Sequence, residues 1–227
     1  MIRQTGSAPP ISAYLQAAGF FILTAIALFA SAGTLAILSF WIYLAIFAAV
    51  FVAAILWLDP GLLRERLRPG GRPPPWSLRL FTLVMILHWV VAGLDRGRLH
   101  FSDTVPLWLQ LAAFVVFAGG YAFAFWAMAV NRFFSSIVRI QSDRGQYVVT
   151  TGPYAFMRHP GYAAGILVIL ASGPALSSWL AAALIIVTCL PFLLYRTVTE
   201  DRVLMIELPG YAEYAKRVPW RLLPGIW

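Results

Sequence analysis

The stretch 152–162 reads GPYAFMRHPGY and lies between apolar runs that are long enough to cross a bilayer. It places Arg158, His159 and three aromatic rings where a membrane protein ordinarily carries lipid-compatible side chains. Charged groups at such a depth are costly, and they usually face a cavity or a ligand. The stretch therefore predicts a functional site within a membrane protein.

The composition supports the membrane interpretation. The chain has 227 residues, of which 61% are hydrophobic and only 11% are charged, and its mean hydropathy is +0.79. An ordinary soluble domain carries about 25% charged residues. A soluble fold of this size cannot hide so much apolar surface, whereas lipid accepts it. We therefore predict an integral membrane protein.

The number of spans follows from the apolar runs, because roughly 20 residues are needed to cross ~30 Å of hydrocarbon. Six candidate runs cover residues 11–31, 35–58, 76–94, 106–130, 158–173 and 176–197. The fifth run is short because Gly173-Pro174 is expected to end it, and a tight turn with Ser177 or Ser178 as N-cap leads into the sixth. The predicted fold is all-α: a polytopic membrane helical bundle of about six helices that ends in a helical hairpin.

The net charge of +8 raises the question of nucleic-acid binding, because basic patches release counterions when they bind phosphate. The positions of the basic residues give a different explanation. With the N-terminus in the cytoplasm and alternating spans, Arg96 and Arg98 lie outside and the other 15 of the 17 lie inside, as the positive-inside rule expects. We predict a bacterial cytoplasmic-membrane protein with both termini inside, attracted to anionic membrane lipids and without a nucleic-acid partner.

Several isolated features carry no prediction of chemistry. Cys189 lies alone in an apolar run, so an internal disulfide is impossible, and no Cys or His spacing indicates a metal site. His88 and His100 have no partner spacing and are predicted to have no catalytic role. The segment Arg64–Pro75 is rich in Pro and Gly and is predicted to be a loop at the lipid surface.

Two segments depart from the pattern of apolar helices joined by short loops. The first covers residues 131–162 and the second covers residues 196–214. The predicted topology places both at the cytoplasmic end, where a water-soluble cofactor can reach a lipid-phase substrate. We therefore divide the chain into about four N-terminal transmembrane helices over residues 1–130 and a functional core over residues 131–227.

The first segment contains the parts of a binding site. Residues 142–145 (SDRG) form a predicted turn, and residues 146–150 (QYVVT) form a short β-prone run. Pro160 and Gly161 suit the start of the next helix, whose backbone N–H groups could hold an anion such as a carboxylate. Aromatic faces for a cationic or aromatic ligand are available nearby, from Tyr154, Phe156 and Tyr162.

The second segment places Arg196 and Glu200 on one face of a helix, at i and i+4, beside Asp201. The two acids could pair with the ammonium group of a ligand. Taken alone, a plain surface ion pair between Arg196 and Glu200, worth only ~0.3–0.5 kcal/mol, is the simpler interpretation. The combination with the first segment favours a ligand site.

The order of these motifs is informative. GPY, RHPxY, a helical hairpin, R-x-x-x-E-D and then Gly210-Tyr211-x-x-Tyr214 follow one another along the chain. This arrangement resembles the isoprenylcysteine carboxyl methyltransferase and phospholipid methyltransferase superfamily of integral membrane enzymes, over roughly residues 131–224. The resemblance implies membrane helices that enclose S-adenosylmethionine at the cytoplasmic side, and a tunnel that admits a lipophilic acceptor from the bilayer.

The resemblance also implies site residues. The cofactor segment corresponds to Gln146, Tyr147, Val148, Val149, Tyr154, His159, Pro160, Gly161 and Tyr162, with Gln141 as a further candidate. The paired acids of the family correspond to Glu200 and Asp201, and its substrate-side arginine corresponds to Arg196, which would orient the acceptor. Two departures are visible: the acidic pair is Glu-Asp rather than Glu-Glu, and Gln146 replaces a frequent histidine.

The implied reaction is methyl transfer by SN2 displacement at the sulfonium of S-adenosylmethionine. Such a reaction needs alignment more than acid–base groups, and alignment can contribute ~7–11 kcal/mol of the barrier. The acceptor stays open among a carboxylate, a thiol and an amine on a lipophilic or amphipathic molecule, and the oligomeric state also stays open. The alternatives are an NADPH-dependent membrane lipid reductase, whose C-terminal end looks similar, and a non-catalytic membrane protein, which the one-sided polar clustering disfavours.

Overall fold

The computed structural model describes residues 11–67, 70 and 76–227. Over these residues the chain forms eight α-helices and no β-strand. The helices are α1 (Ile11–Ala32), α2 (Leu38–Trp57), α3 (Pro60–Leu67), α4 (Trp76–Leu94), α5 (Leu107–Val130), α6 (Pro160–Ala175), α7 (Trp179–Glu207) and α8 (Tyr211–Arg217). The prediction of an all-α fold is confirmed.

Five helices of the described part are long and apolar enough to span a membrane, namely α1, α2, α4, α5 and α7. In contrast, α6 has 16 residues, about 24 Å at 1.5 Å per residue, which is less than the ~30 Å hydrocarbon core. The fifth predicted span is therefore a short helix, as the sequence indicates. The other five predicted spans are confirmed by length and composition.

The hairpin between α6 and α7 differs in detail from the prediction. Gly173 and Pro174 lie inside the last turn of α6 rather than beyond its end. The helix can include Pro174 because a proline in the last turn removes only one backbone hydrogen bond. A side chain at position 173 would collide with the backbone of Ala182 on α7, so the glycine allows a close approach of the two helices. Ser178 is the N-cap of α7 and accepts a hydrogen bond from the backbone of Ala181, as predicted.

The first residues of the segment Arg64–Pro75, which was predicted to be a loop, belong to helix α3 instead. Apart from Gly70, the rest of that segment lies outside the described residues. Asp59 caps α3, because its carboxylate accepts two backbone N–H groups of the first turn. Leu62 and Leu63 pack against side chains of α5. The cap and this apolar contact outweigh the Pro and Gly content that favoured a loop.

The N-terminal helices pack around an aromatic core. Tyr43 and Phe47 of α2 stack against Phe117 of α5, with ring centroids 4.5 and 5.8 Å apart. Trp89 of α4 meets Phe47 edge-on at 6.0 Å. Stacked and edge-on arrangements both suit the charge distribution of aromatic rings. The core thus joins α2, α4 and α5 into one unit.

A chain of hydrogen bonds connects α2, α4, α6 and α7 inside the bundle. The Trp89 indole N–H donates to the Tyr43 hydroxyl at 3.3 Å, and that hydroxyl lies 2.8 Å from Ser172 Oγ. Ser172 Oγ also lies 2.8 Å from His88 Nε2, and His88 Nδ1 lies 3.0 Å from the carbonyl of Ala181. Because a carbonyl only accepts, a neutral His88 donates through Nδ1 and accepts through Nε2. Both ring nitrogens of His88 are thus used within the fold.

The connection between α5 and α6 lies at the same end of the bundle as α3, α8 and the C-terminal end of α7, which we call the site end. The opposite end, where α6 turns into α7, is the hairpin end. The predicted turn at residues 142–145 is confirmed and closes with Gly145 at φ +61°. The β-prone run 146–150 forms no ladder, because no second strand lies beside it in the described residues; Gln146 instead bonds locally to Gln141.

Candidate functional site

The two polar segments predicted from the sequence meet around one cavity at the site end. The cavity has a volume of about 420 Å³, within the ~300–1,000 Å³ range of small-molecule sites. Side chains between Asn131 and Tyr162 form one wall, and side chains of α7 and α8 between Phe192 and Tyr214 form another. The two segments are therefore brought together as predicted.

A tyrosine hydroxyl bridges the arginine and the acid at the polar end of the cavity. Tyr162 Oη accepts a hydrogen bond from Arg196 Nε at 3.2 Å and donates to Glu200 Oε2 at 2.7 Å. Arg196 Nη1 also donates to the backbone carbonyl of Ser136 at 3.1 Å. Arg196 and Glu200 thus communicate through a residue of α6 rather than as a simple i, i+4 ion pair.

The two neighbouring acids of α7 have different surroundings. The side chain of Asp201 is 5% exposed and accepts hydrogen bonds from Arg158 at 2.8 and 3.0 Å, from Arg221 at 2.9 Å and from Tyr211 at 2.9 Å. His159 Nε2 lies 3.0 Å from the same carboxylate. Both oxygens of Asp201 are therefore used by the protein, and a ligand ammonium would have to displace one of these partners to reach it.

Glu200 keeps a free edge toward the cavity. Its side chain is 29% exposed, and Oε1 lies 3.9 Å from His159 Nδ1 while Tyr162 occupies Oε2. An ionised carboxylate has about four acceptor positions, so Glu200 retains capacity for a cationic ligand. Of the predicted acid pair, Glu200 is the member that lines the cavity.

The C-terminal segment 218–227 holds the backbone at the start of α6. The backbone N–H groups of Arg158 and His159 donate to the carbonyls of Trp220 and the residue after it, both at 2.9 Å. The Arg158 guanidinium donates to two further carbonyls of that segment. Burial would lower the pKa of Arg158, but the ion pair with Asp201 outweighs burial and raises it. Arg158 is thus a permanently charged junction between three elements.

The Gly210-Tyr211-x-x-Tyr214 motif supports the same cluster. Tyr211 Oη donates to Asp201 Oδ1 at 2.9 Å, and Tyr214 Oη donates to the carbonyl of Tyr154 at 2.7 Å. Burial and the negative charge of Asp201 raise the pKa of Tyr211, so its hydroxyl stays a donor. The sequence identified this motif, but not its contacts.

Most of the remaining predicted cofactor residues lie on the cavity wall. The wall includes Gln146, Tyr147, Val148, Val149, Tyr154, His159, Gly161 and Tyr162. Gln141 and Pro160 are not part of it: the Gln141 amide donates to the carbonyl of Phe133 at 2.6 Å, and Pro160 begins α6 as predicted. Position 161 requires glycine, because a Cβ would lie 2.4 Å from the ring of Phe134.

Parts of the wall were not predicted from the sequence. Residues 133–139 line the polar end of the cavity, and Arg221 completes the cluster around Asp201. Apolar side chains of the N-terminal helices line the other side, including Phe20, Phe47, Leu78, Phe81 and Met85. Hydropathy does not distinguish an apolar residue that faces a chamber from one that faces lipid, so no sequence signal marks them. The cavity is polar on one side and apolar on the other.

Comparison with known proteins finds a family to which the site region is similar. Residues 111–206, which run from α5 through the cavity wall and α6 to the end of α7, match the isoprenylcysteine carboxyl methyltransferase (ICMT) family. Over this range the chain is similar to the ICMT family. The resemblance expected from the motif order is thereby confirmed. Helices α1 to α4 and α8 lie outside the matched range.

A solved structure extends the likeness in fold beyond that range. The eukaryotic intramembrane Ras methyltransferase ICMT matches with a TM-score of 0.52, over 92% of this chain and 75% of that chain, at 16% sequence identity. A match at this identity shows the fold alone. The membrane-spanning helices outside residues 111–206 therefore follow an ICMT-like arrangement.

Two curated proteins are similar in sequence to this chain. Cobalt-zinc-cadmium resistance protein CzcN from Cupriavidus metallidurans is 41% identical over 83 residues, which are 35% of this chain and 37% of that protein. Nickel-cobalt-cadmium resistance protein NccN from Alcaligenes xylosoxydans xylosoxydans is 30% identical over 138 residues, which are 60% of each protein. The chain thus spans about a third and about three fifths of the length of these relatives.

Proposed function

We propose that this protein is an integral membrane methyltransferase that transfers the methyl group of S-adenosylmethionine to a lipophilic or amphipathic acceptor. The observation that carries the proposal is a single cavity with Arg196, Tyr162 and Glu200 on its polar side and an apolar opposite side. A charged donor and a lipid-phase acceptor need a chamber of this two-sided kind. The match of residues 111–206 to the ICMT family supports methyl transfer as the chemistry.

The residues on the wall suit S-adenosylmethionine, which carries a sulfonium, an amino-acid end and a nucleoside. Glu200 has unused acceptor capacity for an ammonium group. At the start of α6, Pro160 has no N–H and the N–H groups of Tyr162 and Ala163 bond to the His159 carbonyl, which leaves the N–H of Gly161 to favour a carboxylate. The nucleoside would lie against the side chains of residues 146–149 and Tyr154. Three predicted cofactor residues do not line the cavity and would instead support the residues that do: Gln141, Pro160 and Asp201.

The residues of the chain provide alignment and a dry environment. When bound, S-adenosylmethionine supplies an electrophilic methyl group that a nucleophile of the acceptor displaces in line, by an SN2 reaction. Arg196 is held by Tyr162 and by the Ser136 carbonyl, so its planar fork is fixed for an acceptor carboxylate or phosphate. The apolar side of the chamber excludes water and seats the acceptor. Alignment of this kind contributes ~7–11 kcal/mol.

We propose a chemical class of acceptor and a membrane location for the protein. The apolar wall suits a lipophilic molecule that presents a carboxylate, a thiol or an amine, and membrane lipids are its natural environment. The distribution of the basic residues supports a cytoplasmic-membrane protein with both termini and the site end facing the cytoplasm. A water-soluble donor would enter from that side.

Binding and turnover of the purified protein in lipid nanodiscs test the proposal. Calorimetric titration with S-adenosylmethionine should show saturable binding, and methyl-labelled donor should transfer its label to a component of a total membrane lipid extract. In the variant Glu200→Gln the dissociation constant for S-adenosylmethionine should rise roughly 10- to 100-fold, and label transfer should fall with it. The matched control Glu213→Gln, which changes an exposed acid of α8 paired with Lys216, should change neither. Saturable NADPH binding without S-adenosylmethionine binding would establish the reductase instead.

A role in metal resistance is the second candidate, because both curated relatives carry that role in their names. Within the described residues no group of three or more His, Cys, Asp or Glu side chains lies close enough to hold a metal ion. We propose that a role of this protein in metal resistance would require the cavity, including Glu200. Growth of host cells in graded cobalt, zinc and cadmium should then be supported by the wild type and not by Glu200→Gln. Equal tolerance in both strains would separate resistance from the cavity.

A further inference from the structure

A buried acid lies on α3, outside the range 111–206 that matches the family. The side chain of Glu65 is 7% exposed. Arg139 forms a bidentate ion pair with Glu65, in which Nε and Nη2 each lie 3.0 Å from a carboxylate oxygen. The Ser135 hydroxyl and the Gly70 N–H donate to the same carboxylate at 3.1 and 3.2 Å. A fork of two charge-assisted bonds makes this contact strong and geometrically specific.

The charge on Glu65 is maintained by these partners. Burial would raise the pKa of Glu65, but the hydrogen bonds from Arg139, Gly70 and Ser135 outweigh burial and lower the pKa below its usual value. A buried carboxylate without its partner is strongly destabilising. The carboxylate therefore holds α3 and the loop that carries Arg139 in one relative arrangement.

The loop that Glu65 holds also supplies a backbone carbonyl to Arg196. Residues 133–139 form a wall of the cavity. Within that wall, the Ser136 hydroxyl donates to a carbonyl of α3 at 3.0 Å, and the Ser136 carbonyl accepts from Arg196 Nη1 at 3.1 Å. A continuous path of contacts thus runs from Glu65 through Ser135 and Ser136 to Arg196. Glu65 itself does not line the cavity.

We propose that Glu65 is a positioning residue, which together with Arg139 fixes the wall 133–139 against α3 and thereby sets the direction of the Arg196 guanidinium. The inference rests on the proposed function, in which Arg196 orients the acceptor. It gives the N-terminal half of the chain a part in the reaction beyond the apolar wall. Such positioning matters because a misplacement of ~1 Å can lower a rate about 100-fold.

The main test is the variant Glu65→Gln, which keeps the size of the side chain and removes its charge. We expect kcat/KM for the acceptor to fall about 10- to 100-fold, while the dissociation constant of S-adenosylmethionine stays within about twofold of the wild type. Glu65→Asp, which keeps the charge on a shorter arm, should recover part of the activity. The matched control is Glu213→Gln on α8, whose side chain is 71% exposed, and it should behave as the wild type.

A double-mutant cycle separates positioning from general stabilisation. The side chains of Glu65 and Arg196 do not touch, so independent effects of their substitutions should add. If Glu65 acts through Arg196, Glu65→Gln should lower kcat/KM less than about threefold in an Arg196→Lys background. Additive losses would overturn the proposal.

Hydrogen exchange followed by mass spectrometry provides a readout that does not depend on activity. In Glu65→Gln the amides of residues 133–139 should exchange about tenfold faster, while α6 and α7 keep wild-type protection. Unchanged exchange together with unchanged kcat/KM would contradict the inference. If Glu65→Gln does not fold, Ser135→Ala removes one neutral bond from the same carboxylate, and the expected fall becomes about three- to tenfold.

The failure of the proposed function has a different outcome. In that case the wild-type protein neither binds S-adenosylmethionine nor transfers a methyl group, and the positioning role falls with it whatever the variants do. When the wild type is active, only the Glu65 variants and the cycle with Arg196 judge the inference. The two failures are therefore distinguishable from the wild-type measurement alone.

Discussion

Helix α7 has a buried carboxylate cluster at each end, and the two clusters use different chemistry. At the hairpin end, Asp95 accepts hydrogen bonds from the hydroxyls of Ser102 and Ser178 and from the backbone of Ser102. These hydroxyls in turn accept from two backbone N–H groups in the first turn of α7. At the site end, Asp201 is surrounded by two guanidiniums, a phenol and an imidazole. One acid thus relies on neutral donors and the other on cations.

Helix electrostatics accounts for the difference. The N-terminal end of a helix carries a partial positive charge, so Asp95 is stabilised there with neutral donors alone. Asp201 lies toward the opposite end of α7, where this help is absent, and cationic partners replace it. Glu200, next to Asp201, faces the cavity with unused acceptor positions. Burial of an acid therefore does not by itself indicate a ligand site. A carboxylate on a cavity wall with unused hydrogen-bond acceptor positions does indicate one.

Asp201→Asn should give the largest effect, a loss of stability. Arg158 and Arg221 would be left without their counter-charge, and breaking a buried ion pair in this way costs about 3–5 kcal/mol. Thermal unfolding of the purified protein in detergent should show a much lower midpoint than that of the wild type. An unchanged midpoint would mean that the cluster is dispensable, and Asp201 would then be open to a ligand, as the sequence suggested.

Glu200→Gln should have the reverse profile, with stability kept and S-adenosylmethionine affinity lost. A charge-assisted hydrogen bond contributes about 1.5–3 kcal/mol, which corresponds to a roughly 10- to 100-fold rise in the dissociation constant. Calorimetric titration beside a thermal unfolding curve measures both quantities on one sample. If affinity were unchanged and the midpoint fell as far as in Asp201→Asn, the roles assigned to the two neighbours would have to be exchanged.

The fold was predictable because lipid imposes length and hydropathy on each span. Residues 106–130 were expected to form one span, and α5 covers Leu107–Val130. Helix α3 was not predicted, because it has eight residues and its Pro and Gly neighbours mask two buried leucines. Pro174 was expected to end α6, but a turn stabilised by contact with α7 tolerates it. Short elements that depend on tertiary contacts were thus the ones missed.

The sequence predicted residues that line one cavity, but it did not predict the hydrogen-bond partners of these residues. The order of the motifs located Arg196, Glu200 and His159, which the structure places on one cavity. Successive residues of a helix point about 100° apart, so only one of two adjacent acids can face the chamber fully. Which one does so depends on the rotation of α7, and Arg221, 20 positions along the chain from Asp201, helps to fix it. Local sequence contains no measure of that rotation.

Asp95→Asn should destabilise the protein less than Asp201→Asn does. Its donors are neutral, and each such hydrogen bond contributes about 1 kcal/mol, so a loss of about 1–2 kcal/mol is expected with the favourable helix-end charge included. Affinity for S-adenosylmethionine should stay at the wild-type value, because Asp95 lies at the hairpin end. The same thermal unfolding measurement checks the prediction. A loss equal to that of Asp201→Asn would contradict the distinction between neutral and cationic partners.

Glu65 is a third buried acid. The smallest predicted effect is the pH dependence of the stability that its carboxylate gives to residues 133–139. Its pKa in the folded protein lies below the usual ~4.3 of glutamate, because the hydrogen bonds from Arg139, Gly70 and Ser135 outweigh burial. A lowered pKa contributes stability that is present above the unfolded-state value and is lost as the pH falls through the folded-state value. Exchange of the amides in residues 133–139, normalised for the intrinsic rate, should therefore be constant from about pH 7 to pH 5 and should rise only below about pH 4.

The variant Glu65→Gln isolates this titration from that of Asp143, which shares Arg139 and whose pKa the same arginine lowers. In the variant, exchange in residues 133–139 should be faster at every pH and should depend on pH only through Asp143. A rise in the wild type that begins at pH 6 or above would exclude Glu65 as the group that controls the wall. Glu65 would then join Asp95 as an acid whose charge contributes little to the wall.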